Sequence, residues 1–264
     1  MKERHKVKNK IFLLAGTEDG RKLAEFLTSR GFEVTASVVS EYGRKILESC
    51  DGVKINDKPL DKEKLTAVVL SGIFDFLVDA SHPYAENVSV NAISACEFAK
   101  IPYLRYEREE VEVLYDKVYK VFDYEEAAVK AAELGKNIFL TTGSRNLKKF
   151  VESEALKNCS LTVRILPTAE VLSECEKLGL TPKQIVAMQG PFSTELNIEL
   201  FKHANTEVIV TKNSGKIGGA DTKISAAEIL NLPVVVIERP KIFYPHVAKT
   251  FEEVLKFIEE QNFE

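Results

Sequence analysis

Ile11-Phe12-Leu13-Leu14-Ala15-Gly16-Thr17-Glu18-Asp19-Gly20-Arg21 is the stretch that decides the fold class. Its opening apolar run is too short for a helix and suits a strand buried on both faces. Ala15-Gly16-Thr17 then turns the chain. Leu23, Phe26, Leu27 and Arg30 follow at helical spacing, and Gly31 stops that helix. A buried strand, a glycine turn and a helix make the first part of a β–α–β unit, whose next strand runs parallel to the first.

The same rhythm recurs outward from this stretch. Apolar strand patterns fall at residues 33–39, 74–79, 101–106, 138–142, 161–166, 185–188, 207–211 and 234–237. Helical patterns lie between them, at 41–49 and 60–71. Ala92, Ala95, Cys96 and Ala99 mark a helix whose small side chains suit close packing on a sheet. Phe251, Val254, Leu255 and Ile258 mark a final amphipathic helix. Residues 107–123 are charged and weakly patterned, and read as a crossover between two halves. The sequence therefore predicts an α/β protein with mainly parallel sheets. Its expected domains are residues 1–110 and 111–264.

The 264-residue chain is 45% hydrophobic and 29% charged, which argues for a packed core and against disorder. No apolar run is long enough to span a bilayer. The basic start, Met1 to Lys10, precedes a core strand and lacks a signal-peptide cleavage pattern. No membrane partner is expected, and the expected location is cytoplasmic. Cys50, Cys96, Cys159 and Cys175 form no CxxC pair and have no histidine at ligand spacing. They read as reduced thiols, with no metal site. A net charge of −4 disfavours nucleic acid. A small anion remains open, because it responds to local charge.

Ligands of parallel sheets bind beyond the carboxyl ends of the strands, where this chain concentrates Gly, Ser, Thr and cations. The first loop, with Gly16 and Thr17, is not GxGxxG, and Glu18 and Asp19 repel a phosphate placed beside them. It serves a tight turn as well as it serves a ligand. No P-loop lysine pattern is present. After the second strand, Glu41 suits a ribose, while Ser40 and Arg44 suit a 2′-phosphate, so NADH and NADPH both stay open. In Asp79-Ala80-Ser81-His82-Pro83-Tyr84, residue chemistry alone makes Ser81 a helix cap and His82 an exposed turn residue. Thr141-Thr142-Gly143-Ser144-Arg145 suits a phosphate or carboxylate, or a capped helix. Gly190-Pro191-Phe192-Ser193 suits an anion at a helix start, or a turn capped by Ser193. Residues 211–223 hold Gly215, Gly218 and Gly219 with Lys212, Lys216 and Lys223, and read as a mobile anion clamp.

Taken in order, several segments resemble the precorrin-6A reductase family of cobalamin biosynthesis. They are Leu14-Ala15-Gly16-Thr17 with Asp19-Gly20-Arg21, Val78-Asp79-Ala80-Ser81-His82-Pro83-Tyr84-Ala85, and Ile101-Pro102-Tyr103-Leu104-Arg105-Tyr106-Glu107-Arg108. They continue with Leu140-Thr141-Thr142-Gly143-Ser144, Gln189-Gly190-Pro191-Phe192, Val210-Thr211-Lys212-Asn213-Ser214-Gly215, and the run from Leu232 to Pro240. Ala15 departs from the pattern, since members often carry a second glycine there. The resemblance implies two Rossmann-like domains with a cleft between them. It also implies reduction of one ring double bond in precorrin-6A or cobalt-precorrin-6A by NADPH or NADH. The substrate would be a polycarboxylate tetrapyrrole.

On that footing Gly16, Thr17, Thr142, Gly143, Ser144, Arg145, Gly190 and Ser193 are expected to hold the cofactor. Ser81, Arg105, Asn213, Ser214, Gly215, Lys216 and Lys223 are expected to meet the substrate, with Arg108 among the nearby cations. Lys212 and His82 are expected at the macrocycle, with either one, or solvent, as the proton donor. Two other readings fit the same architecture. One is a cofactor-free tetrapyrrole enzyme resembling uroporphyrinogen-III synthase, and the other a two-lobed, non-catalytic anion-binding module.

Overall fold

The computed structural model describes residues 9–39, 41–71, 73–107, 114–213 and 220–261. Along the chain come β1 (Lys10–Leu14), α1 (Glu18–Ser29), β2 (Glu33–Ser37), α2 (Glu41–Leu47), β3 (Lys54–Asn56), α3 (Lys62–Leu70), β4 (Phe76–Asp79), α4 (Glu86–Ala99) and β5 (Tyr103–Tyr106). Then follow β6 (Val118–Val121), α5 (Tyr124–Leu134), β7 (Asn137–Leu140), α6 (Leu147–Val151), β8 (Ser160–Ile165), α7 (Ala169–Lys177), β9 (Ile185–Ala187), α8 (Thr194–His203), β10 (Val208–Lys212), α9 (Ala220–Ile229) and β11 (Val234–Ile237). The chain ends with β12 (Val247–Ala248) and α10 (Phe251–Gln261). No helix among the described residues is long and apolar enough to cross a membrane.

Two compact units result. The first comprises residues 1–109 and 240–264, the second 110–239. In the first unit, strands in the order β12-β5-β4-β1-β2-β3 form one sheet, every pair parallel. β1 shows why its run is apolar throughout. Ile11 and Leu13 pack with Leu23, Ala24 and Leu27 of α1 and with Val254 and Ile258 of α10. Phe12 and Leu14 face the other side, toward Leu65 and Val69 of α3 and Ala92, Ala95 and Cys96 of α4. The period of two thus fills both faces. Thr17 caps α1, and Gly31, at φ +90°, ends it in a conformation that glycine adopts without strain.

In the second unit the order is β6-β11-β10-β7-β8-β9, again all parallel. Phe139, Ile209, Val234 and Val236 cover one face against Phe201 of α8 and Ala226 and Ala227 of α9. Both sheets reverse direction beside their central strand. From β1 the chain steps outward to β2 and β3, and β4 then lands on the other flank of β1. From β7 it steps to β8 and β9, and β10 lands on the other flank of β7. These reversals leave a crevice at the carboxyl ends of the paired strands.

The expected α/β fold with mainly parallel sheets is present, but the domain division at 110/111 needs correction at its far end. Residues 240–264 return to the first unit. β12 pairs with β5 through Val247↔Arg105 and Ala248↔Tyr106, and α10 buries Val254 and Ile258 in the first unit's core. Element rhythm fixes the order of strands and helices, not the sheet that a late strand joins. The expected crossover at 107–123 also hides β6. That strand lies at a sheet edge with Tyr119 and Lys120 exposed, so its apolar pattern is weak.

The return of α10 gives a local expectation. Ile258→Ala should cost about 2–5 kcal/mol in urea unfolding. Hydrogen exchange should quicken in β1 and β2 and stay unchanged in β7 and β10. Equal loosening of both sheets would contradict the assignment of α10 to the first unit.

Candidate functional site

At the first unit's reversal, β1 and β4 end side by side, with Leu14 opposite Asp79. Thr17 braces the two loops. Its hydroxyl accepts from the Gly20 backbone N–H at 3.0 Å and donates to the Ala80 carbonyl at 3.0 Å. Gly20 is required by closeness, because a Cβ there would stand 2.8 Å from the Ala15 Cα. Glu18 and Asp19 sit in the first turn of α1, where acids favour the helix start. The space between these loops is about 10 Å³, room for one water.

Asp79 fills the core beneath. Its Oδ1 accepts from the Ser81 N–H at 2.9 Å and from Arg105 Nη1 at 3.0 Å. Its Oδ2 accepts from Ser89 Oγ at 2.6 Å and from the Tyr103 hydroxyl at 2.8 Å. Arg105 also donates to Ser81 Oγ at 3.1 Å and, through Nε, to Glu107 at 2.8 Å. The returning segment holds it too: the Arg105 N–H donates to the His246 carbonyl, and its guanidinium lies 5.3 Å from the Tyr244 ring centre. Burial pushes the Asp79 carboxyl upward, but Arg105 and the hydroxyl donors outweigh it and hold the group below its usual range.

This network revises several expectations. Arg105 is 1% exposed and engaged by two carboxylates, so its guanidinium is turned inward onto Asp79 and Glu107. Ser81 is no helix cap, since α4 starts at Glu86; its hydroxyl is tied to Arg105. The Thr17 hydroxyl is spent on the brace. Gly16 keeps open space where a Cβ would point. His82 is half-buried, with Nδ1 accepting from the Tyr84 N–H at 3.2 Å.

At the second unit's reversal the filling differs. Thr141 ties the loop after β7 to β10, its N–H and hydroxyl both donating to the Val210 carbonyl. Next to this tie, the buried hydroxyls of Thr142 and Thr211 have no partner among the described residues. Gly143 has φ +75° and open space beside it, and Ser144 and Arg145 complete the loop. α6 is only five residues long, so the expected helix start adds little field here. Lys212 ends β10, with Nζ 5.6 Å from the Tyr124 ring centre. Burial, aided by Arg145, pushes its pKa down to about 8.

Asn213 does not reach outward as expected. It is buried, its side chain donates to Glu238 at 3.0 Å, and its carbonyl accepts from Arg239 Nε at 3.0 Å. Those contacts secure the end of β11. Lys223 is also buried, in the first turn of α9. Ser193 caps α8 by accepting from the Leu196 N–H, and its hydroxyl also bonds the Glu195 carboxylate, which Glu195's own backbone N–H and then Ser193 hold below the usual carboxylate range. Gly190 leaves room for the Phe192 ring, which a Cβ would approach to 2.9 Å. Ser214, Gly215, Lys216, Arg108 and Ser40 lie outside the described residues. Arg164 and Asn197 belong to no motif of the sequence, yet the structure joins them by a 2.7 Å hydrogen bond. Arg164 is a single charge inside an apolar strand, and that irregularity was its only signal.

The chain matches the family model described as precorrin-6x reductase CbiJ/CobK over residues 10–259. It belongs to that family. Among its relatives, the cobalt-precorrin-6A reductase of Priestia megaterium is 43% identical, with 96% of this chain and 99% of that one covered. The cobalt-precorrin-6A reductase of Methanocaldococcus jannaschii is 38% identical, covering 94% and 97%. The precorrin-6A reductase of Rhodobacter capsulatus is 26% identical, covering 94% and 95%. A solved structure titled CobK precorrin-6A reductase superposes with TM-score 0.77 at 25% identity, covering 96% of each chain. Membership makes the chain an oxidoreductase of corrin biosynthesis.

The Asp79 network yields a stability expectation. Asp79→Asn should destabilise the first unit by about 3 kcal/mol. Because folding lowers this carboxyl's pKa, its contribution is full above pH ~4 and fades as pH falls toward the folded value. The wild type should therefore lose more stability than Asp79→Asn on acidification below that pH. Parallel acid profiles in urea unfolding would remove the network from its bracing role.

Proposed function

We propose that this chain reduces a ring double bond of cobalt-precorrin-6A with a reduced nicotinamide dinucleotide. The relatives at 43% and 38% identity bear the cobalt-substrate name, and the 26% relative bears the metal-free one. The observation that carries the cofactor is the loop after β7. It offers the buried, unpartnered hydroxyl of Thr142 beside an open Gly143, and the neighbouring strand β10 carries a second such hydroxyl, that of Thr211. Hydroxyls left unpaired in a protein interior are costly, and phosphate oxygens would satisfy them. Thr142, Gly143, Ser144 and Arg145 hold cofactor phosphates in this reading, with Gly190 and Ser193 as further contacts.

Reducing a double bond takes a hydride and a proton. When bound, the reduced nicotinamide supplies the hydride. Lys212 holds a proton at Nζ. A pKa of about 8 leaves it mostly protonated at neutral pH and ready to donate. Substrate carboxylates meet Lys216, with Ser214 and Gly215. His82 is the alternative proton donor on the first unit.

The direct test mixes the chain with cobalt-precorrin-6A, or with the metal-free compound, and NADH or NADPH. Loss of the reduced nicotinamide with the cobalt compound is expected. No consumption with any pairing would overturn the proposal. Lys212→Ala should lower kcat roughly 100-fold or more. In the wild type kcat should fall as pH rises through about 8, and Lys212→Arg should move that limb upward. Near-normal kcat in Lys212→Ala with loss in His82→Ala would transfer the role to His82. Arg145→Ala should raise the KM for the dinucleotide with kcat little changed.

A further inference from the structure

We infer that Tyr124 is a positioning residue for the reduction, its ring holding the charged Lys212 ammonium group at the end of β10. The inference rests on the reading of Lys212 as proton donor; the contact itself does not depend on that reading. Lys212, Ile237 and Val121 share one row across β10, β11 and β6. Tyr124 follows that row closely in sequence and opens α5. Its ring reaches back over the row, so that Lys212 Nζ lies 5.6 Å from the ring centre. An ammonium group at such a distance is attracted by the ring's electron-rich face, and more strongly where water is excluded.

The ring is itself held in place. Asp123 caps α5 by accepting from the Glu126 N–H at 2.7 Å, and the Glu126 carboxylate accepts from the Phe122 N–H at 2.9 Å. The two bonds tie the first turn of α5 from both sides. The Tyr124 ring then meets the fully buried Phe150 of α6 edge to face, with centres 5.9 Å apart and planes at 76°. The Asn146 side chain bonds the Tyr124 hydroxyl, and burial pushes the phenol's pKa up, so the ring stays neutral. Lys149 Nζ also lies 5.2 Å from the ring centre, but that residue is exposed to solvent.

Lys212 has a use for such a neighbour. Burial and then Arg145, from the loop after β7, both disfavour its charge. Lys223 of α9 adds like-charge repulsion. Tyr124 is the group on α5 that favours the charged form, and it does so without taking up the proton. The N–H groups of Nζ stay available to donate.

The test compares the full chain with Tyr124→Leu and Tyr124→Phe by two readouts. One is the titration of Lys212 itself, followed by NMR of the chain labelled with carbon-13 lysine, the signal being assigned by its loss in Lys212→Arg. The other is the pH profile of kcat. Tyr124→Leu should lower the Lys212 pKa by about 0.5–1 unit. At a pH near 8 it should therefore lower kcat roughly two- to fivefold, with the KM for the dinucleotide little changed. Tyr124→Phe, which keeps the ring, should hold both readouts at about 8. Tyr124→Met gives the same readout if Tyr124→Leu does not fold. An unshifted titration in Tyr124→Leu, or an upward shift from admitted water, would overturn the inference. So would loss of kcat in Tyr124→Phe, which would make the hydroxyl the acting group. A lowered titration with an unmoved kcat profile would overturn Lys212 as the donor and leave its contact with Tyr124 standing.

Discussion

Each sheet reverses its order beside one strand, and the chemistry of the protein follows from how those two reversals are filled. At β1 and β4 the crossovers diverge and their loops leave backbone groups to be satisfied. Thr17 does so by bonding to the Ala80 carbonyl. At β7 and β10 Thr141 does the equivalent by bonding to the Val210 carbonyl. The same topological demand is met twice by a threonine.

What lies around each brace separates the two units. In the first, Arg105 is held between the Asp79 and Glu107 carboxylates, and the cavity shrinks to the size of a water. In the second, unpartnered hydroxyls stand near Lys212, and Arg164 has no carboxylate against it among the described residues. A chain with net charge −4 thus keeps a buried cation with no facing carboxylate among the described residues, Arg164, in its second unit, where a low effective dielectric strengthens the hold on anions.

The apolar strands were legible because parallel strands buried on both faces read as short unbroken hydrophobic runs, as in 11–14 and 234–237. The loops of interest were legible because the fold rule places ligands at strand ends. Residue roles were less so. Arg105 and Asn213 look like ligand contacts in a list of polar residues, yet both lie beneath the surface, satisfied by Asp79 and Glu238. Burial depends on which strand lies alongside, and sequence pattern does not carry that. The return of 240–264 escaped for the same reason: β12 has two residues and little pattern, and its partner β5 is remote in sequence. Arg164 escaped because an apolar strand with one charge still reads as a strand.

Hydrogen exchange of the full chain, with and without saturating reduced nicotinamide dinucleotide, tests the central claim most directly. Slower exchange across 141–145 and 190–193, with β3 and the outer edge of β6 unchanged, is the expected result. Protection confined to the first unit's loop at 15–21, with none after β7, would contradict it.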